Sequence, residues 1–174
     1  MERKNAWLSY NEADEKALEK LAKDYRTFLD NGKTERECVS ELSREAEAVG
    51  YVSLDKKLAS GEKIQTGDKI YAVGMKKIMA LFYIGEDPME KGMNILGAHI
   101  DSPRLDVKQN PLYEDTDLAY LDTHYYGGVK KYHWVALPLA IHGVIVKKDG
   151  TVVNVTVGEA EDDPVVYITD LLIH

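Results

Sequence analysis

A chain of 174 residues, 44% hydrophobic and 30% charged, is long enough to bury a core as one domain or one domain plus part of another. Its 30 acidic residues outnumber 22 basic ones, and a net charge of −8 argues against a nucleic-acid or anionic-membrane partner, since Lys and Arg hold both. The lone cysteine, Cys38, excludes an internal disulfide and suits a reducing, cytoplasmic setting; the N-terminal residues 1–7 lack the apolar core of a signal peptide, and the longest apolar runs are too short to span a bilayer.

Residues 11–31 read as an amphipathic helix, with Leu18, Leu21, Ala22, Tyr25, Phe28 and Leu29 at helical spacing. Asn11 suits the N-cap, and Asp14 and Glu15 place negative charge where the helix dipole favours it. Gly32 suits the stop. Thr34 and Glu37 fit a capping box that opens a second helix, whose stripe is Cys38, Val39, Leu42, Ala46 and Val49 before Gly50. Cys38 on that stripe reads as a small buried hydrophobe rather than a reactive thiol. From residue 51 the period changes. Residues 70–73 and 78–84 read as neighbouring strands joined by a hairpin over 74–77. Residues 86–92 form a polar loop, and 93–99 a further strand. The apolar character of 78–84 and 93–98 predicts central strands covered on both faces. Helices followed by such strands predict a layered α/β domain.

The stretch Gly97-Ala98-His99-Ile100-Asp101-Ser102-Pro103-Arg104 ends that strand. Residues two apart on a strand share a face, so His99 and Asp101 are expected in one environment with Ile100 turned away. A neutral imidazole is a common metal ligand, and a nearby carboxylate can orient it. Taken alone, His-x-Asp reads by default as a satisfied polar pair at a strand end. Residues 104–108 alternate like a half-exposed strand, which Asn110-Pro111 breaks. Glu114, Asp115 and Asp117 lack calcium-loop spacing and read as a solvated loop. Leu118 to Leu121 suggest a short strand. Tyr126-Gly127-Gly128 permits a turn or a close backbone approach. His124, His133 and His142 stand apart from ligand-like partners and read as structural or surface histidines, and Trp134 as a packed anchor.

Residues 139–157 form the clearest hairpin, with Asp149-Gly150 between two β-rich runs. An acidic loop over 158–164 leads to a strand over 165–168. Apolar residues then continue to His174, as if an element were cut.

The segment Gly97-Ala98-His99-Ile100-Asp101-Ser102-Pro103 resembles the G-x-H-x-D-S-P segment of the M18 family of metalloaminopeptidases, the aspartyl aminopeptidase family. Tyr126-Gly127-Gly128 with the later Trp134 resembles that family's Y-G-G-G block, in the same order and at a fitting separation. The resemblance implies a zinc peptidase α/β domain of which residues 1–105 are the first part. Residues 106–174 are then the start of an inserted β-rich domain that mediates dimer contacts. It implies two-zinc hydrolysis that releases N-terminal amino acids from peptides. His99 is then a ligand of one Zn2+, and Asp101 orients it. His174, in Leu171-Leu172-Ile173-His174, resembles a family histidine that reaches into the neighbouring subunit's site and contacts substrate. The expected partners are peptide substrates and further copies of the chain in a dimer-based particle such as a dodecamer. Family members run to well over twice this length, so the remaining ligands and the general base are expected outside this chain, which alone is expected to be inactive. Val129 replaces the third glycine, and Ala136-Leu137 follows Trp134 where many members carry Asp-Arg, so an acidic preference in the substrate stays open. A non-catalytic assembly or binding module of the same fold is the alternative; a downstream Glu-Glu pair and a late histidine would favour the enzyme.

Overall fold

Asn11 caps the first long helix, α1 (Glu12–Asn31), by accepting hydrogen bonds from the Ala13 and Asp14 backbone N–H groups, while Asp14 returns one to the Asn11 N–H. This is a reciprocal capping box in a computed structural model that describes residues 3–171. The chain divides into two units, Met1–Ile100 and Asp101–His174.

In the first unit Gly32 ends α1, its N–H bonding the Phe28 carbonyl. Thr34 and Glu37 form the predicted capping box of α2 (Glu35–Ala48). Beyond it Gly50 takes a left-handed φ of 91°, which glycine adopts without steric cost. A two-residue strand β1 (Val52–Ser53) leads into a short helix α3 (Leu54–Ala59), which the sequence reading lacks. Ser53 caps it by accepting from the Lys56 N–H. Six residues offer too little periodicity to stand out. Strands β2 (Lys69–Gly74) and β3 (Ile78–Tyr83) pair antiparallel, and β1 runs parallel to β2, giving the order β1-β2-β3. Met75 and Lys76 form the connection with φ of 50° and 57°. Among the described residues the buried apolar side chains are few: Cys38, Val39 and Ala46 of α2, with Ile70 and Tyr71 of β2. Tyr71 also donates its hydroxyl to Glu47 at 2.8 Å, tying strand to helix.

Two expectations fail here. β3 is an edge strand, not a central one, and its Ile78, Leu81, Phe82 and Tyr83 are exposed. The apolar run over 93–99 forms no strand; Ile95 is 80% exposed and Leu96 fully so. An extended segment becomes a strand only by pairing its backbone with a neighbour, and no strand of this unit pairs with the run.

In the second unit β4 (Arg104–Asp115) and β5 (Leu118–Tyr126) form a long antiparallel hairpin. Pro111 does not end β4 as expected. The register instead shifts between Val107 and Leu112, because a proline without an N–H is tolerated at a bulge. Glu114 and Asp115 are strand residues rather than loop, and Thr116 and Asp117 make the turn with φ of 53° and 63°. Strands β6 (Ile141–Val146) and β7 (Val152–Val157) form the predicted hairpin. Its turn is held by the Gly150 N–H on Lys147 O and the Thr151 N–H on Asp149 Oδ1. The strand expected over 165–168 shrinks to two isolated bridges, Val135 with Ile168 and Leu139 with Val166. No described residue of this unit is fully buried. The whole is a mixed helix-and-sheet chain.

Candidate functional site

His99 lies on the segment that failed to form a strand and is exposed. Its expected placement at a strand end is therefore corrected, and strand alternation no longer sets which way it faces relative to Asp101. The peptide that carries it lies against α2, where the single S–H of Cys38 is shared between the Gly32 carbonyl at 3.4 Å and the Ile100 carbonyl at 3.7 Å. Cys38 is 5% exposed. Burial, followed by the Glu37 and Glu35 charges, pushes its thiol above the usual value, so it is a packing residue and not a nucleophile.

Asp101 is half-buried at the start of the second unit. Its Oδ2 accepts a hydrogen bond from the Tyr126 hydroxyl at 3.0 Å. Tyr126 is the last residue of β5 and the direct cross-strand partner of Arg104. The Arg104 guanidinium lies 4.2 Å from the Tyr126 ring centroid, a cation–π contact. Arg104 also donates through Nε to Asp106 Oδ1 at 2.7 Å and through Nη1 to the Ser102 carbonyl at 3.5 Å. Gly127 then turns with φ +72°, and a side chain there would stand 3.5 Å from the Pro103 Cα. The structure thus brings together Asp101 and Tyr126 from two separate sequence blocks.

Tyr126, Arg104 and Asp106 went unrecognised as partners of this site in the sequence. The alternation of Arg104 and Asp106 on one strand face and the aromatic opening the Tyr-Gly-Gly block were the available signals. Trp134 is half-buried beside a cavity of about 110 Å3 lined also by Leu105, Tyr125, Val129, Ile168 and Leu171, as befits a packed anchor. His124 Nδ1 lies 3.2 Å from the Tyr125 carbonyl oxygen, and His133 meets the Tyr132 ring edge-on at 4.3 Å. His142 is not isolated from carboxylates as expected: its Nε2 lies 2.8 Å from Glu159 Oε1, because the loop after β7 folds back beside β6. His174 lies outside the described residues.

Imidazole nitrogen and carboxylate oxygen are donors that zinc accepts. His99 and Asp101 are therefore right in kind. They are too few in number, for among the described residues no three His, Cys, Asp or Glu side chains gather where they could hold a metal ion. The described residues do not complete a zinc site. No helix among the described residues is long and apolar enough to cross a membrane.

Residues 28–174 match the family model described as aminopeptidase I zinc metalloprotease (M18). The chain is 58% identical over 173 residues to a probable M18 family aminopeptidase 1 of Clostridium acetobutylicum, covering 99% of this chain and 37% of that protein. It superposes with a TM-score of 0.88 and 37% identity on the crystal structure of aminopeptidase I from Borrelia burgdorferi B31, covering 98% of this chain and 41% of that one. The crystal structure of an M18-family aminopeptidase from Thermotoga maritima gives a TM-score of 0.87 at 43% identity, over 100% of this chain and 37% of that one. The chain spans about 37% of the length of the curated relatives it matches.

Proposed function

The chain belongs to the M18 family of aminopeptidase I zinc metalloproteases, and from that membership we propose that it forms the N-terminal part of a metalloaminopeptidase. Its substrates are peptides, from which the enzyme releases the N-terminal amino acid by hydrolysis. One observation carries the reading: the family match over residues 28–174 encloses the segment 97–103 that bears His99 and Asp101.

His99 would supply one zinc ligand, as a neutral imidazole, and Asp101 would orient its ring as a hydrogen-bond acceptor. When bound, zinc would supply Lewis acidity toward the peptide carbonyl and would lower the pKa of a water. The remaining ligands and the general base lie outside these residues, so the 174-residue chain alone is inactive. Residues 1–105 belong to the peptidase domain, and 106–174 open an inserted β-rich domain through which copies associate as dimers and larger particles. His174 then reaches a partner subunit's substrate. The enzyme works in the cytoplasm.

Mutation of the full-length enzyme tests this. His99→Ala removes a ligand, so bound zinc should fall and peptidase activity should nearly vanish. Asp101→Asn keeps the shape and should cost about 10–100-fold in metal affinity or activity. Stoichiometric zinc with intact activity in His99→Ala would overturn the reading. A remainder of the sequence lacking a Glu-Glu pair and a late histidine would favour the assembly-module alternative.

A further inference from the structure

Resting on the reading that residues 106–174 hold copies of the chain together, we propose that the tip of the β4–β5 hairpin docks on the tip of the β6–β7 hairpin of a second copy. Tyr113 and Tyr120 pair across β4–β5, with their rings stacked 5.2 Å apart. Asp115 and Leu118 pair two residues further out, so all four side chains share one face. Tyr113 and Leu118 are exposed on it. Val146 and Val152 pair at the outer end of β6–β7 and are exposed as well. Each tip therefore leaves apolar surface open to solvent at the end of a two-stranded hairpin, where it marks a contact surface.

The two tips carry opposite charge. Glu114, Asp115 and Asp117 crowd the β4–β5 turn, and Lys147 and Lys148 open the β6–β7 turn. Asp149 follows the lysines, but its carboxylate accepts the Thr151 N–H within the turn. Nearer the root of β4–β5, Arg104 pairs with Asp106 and Lys108 with Asp122. No ion pair among the described residues uses Asp115, Asp117, Lys147 or Lys148. A surface that carries both halves of a complementary contact is matched by another copy of itself. Across a two-fold axis each chain gives one tip and receives the other, so the contact forms twice. Docking covers Tyr113 and Leu118 with Val146 and Val152, and it sets the acidic turn against the two lysines. The apolar cover supplies affinity, and the opposed charges fix how the copies are oriented.

The test follows the mass of the full-length protein by light scattering across micromolar concentrations, with Tm from thermal unfolding. The variants are Lys147→Glu with Lys148→Glu, Asp115→Lys with Asp117→Lys, and all four changes together. Each reversed pair sets like charges against each other and should move association to about 10–100-fold higher concentration. The four changes together restore opposite charges and should return association toward the parent value, which two independent sites would not do. If a reversed pair fails to fold, Lys147→Gln with Lys148→Gln decides instead: it should weaken association and make it less sensitive to salt than the parent. Unchanged mass in both reversed pairs, a loss that the four changes do not restore, or a glutamine variant that associates like the parent overturns the proposal. A fall in Tm with no fall in mass overturns it too, since the tips would then be covered by other parts of the same chain. A parent that associates while the reversed pairs leave its mass untouched sinks this contact alone. A monomeric parent sinks the assembly reading together with it.

Discussion

Glu41 illustrates how a single side chain makes the first unit sensitive to acid. Arg44 donates to its two oxygens at 2.6 and 3.1 Å, and Asn31, the last residue of α1, donates at 2.8 Å. These contacts, Arg44 foremost, hold its carboxyl down to about 2 from an ordinary 4.5. A depressed folded value means that the unfolded chain binds the proton more readily. The contribution of Glu41 is thus present above pH 4.5 and lost as pH falls toward 2. We expect Glu41→Gln to lower Tm at neutral pH and to converge on the parent as pH falls through that window. A Tm difference that is the same at pH 7 and pH 2 would show that the ion pair is not its source. At the same scale the proposed site is legible in part: His99 and Asp101 sit in a contiguous motif, whereas the hydrogen bond from Tyr126 to Asp101 is recognised only once β4 and β5 pair.

At the scale of elements, the two long capped helices and the β6–β7 hairpin follow rules that act over a few residues. The β2–β3 turn departs from them. Met75 and Lys76 carry φ of 50° and 57°, in a region that costs a side-chain-bearing residue about 1–2 kcal/mol each. Hairpin turns of this handedness favour Asn-Gly for that reason. Lys76→Gly relieves the strain at one position, while glycine adds about 0.4–1 kcal/mol of unfolded-chain entropy. Relief wins by roughly 0.5–1 kcal/mol, so calorimetry should record a Tm rise of about 2 °C. A fall in Tm would mean that the lysine side chain makes a stabilising contact outweighing its backbone strain. The β4–β5 hairpin uses the same geometry at Thr116 and Asp117, where an acidic run in the sequence reads as a solvated loop.

At the scale of the whole molecule the balance of burial is unusual. Among the described residues five apolar side chains are buried, all in the first unit, while Leu21, Phe82, Ile95, Leu96, Tyr113 and Tyr132 are among many that are exposed. The second unit consists of two-stranded hairpins, which are marginal on their own. Edge strands and exposed apolar faces of this kind are stable only when covered. The full-length protein should therefore be a multimer at micromolar concentration by light scattering. A monomer would remove the assembly role proposed for residues 106–174.

The sequence by itself determined whatever depends on neighbours a few residues apart. Asn11 with Asp14 and Thr34 with Glu37 define helix starts, Asp149-Gly150 defines a hairpin, and the His99-Ile100-Asp101 segment marks the family. Such signals survive because capping hydrogen bonds and turn angles are closed locally. Only the tertiary structure decided that the run over 93–99 stays unpaired, that Pro111 sits at a bulge and that β3 lies at an edge. It alone joined Tyr126 to Asp101 and the Cys38 thiol to Ile100. Each of these depends on which distant segment supplies the partner, and an apolar run or a lone tyrosine carries no record of its partner in its own composition.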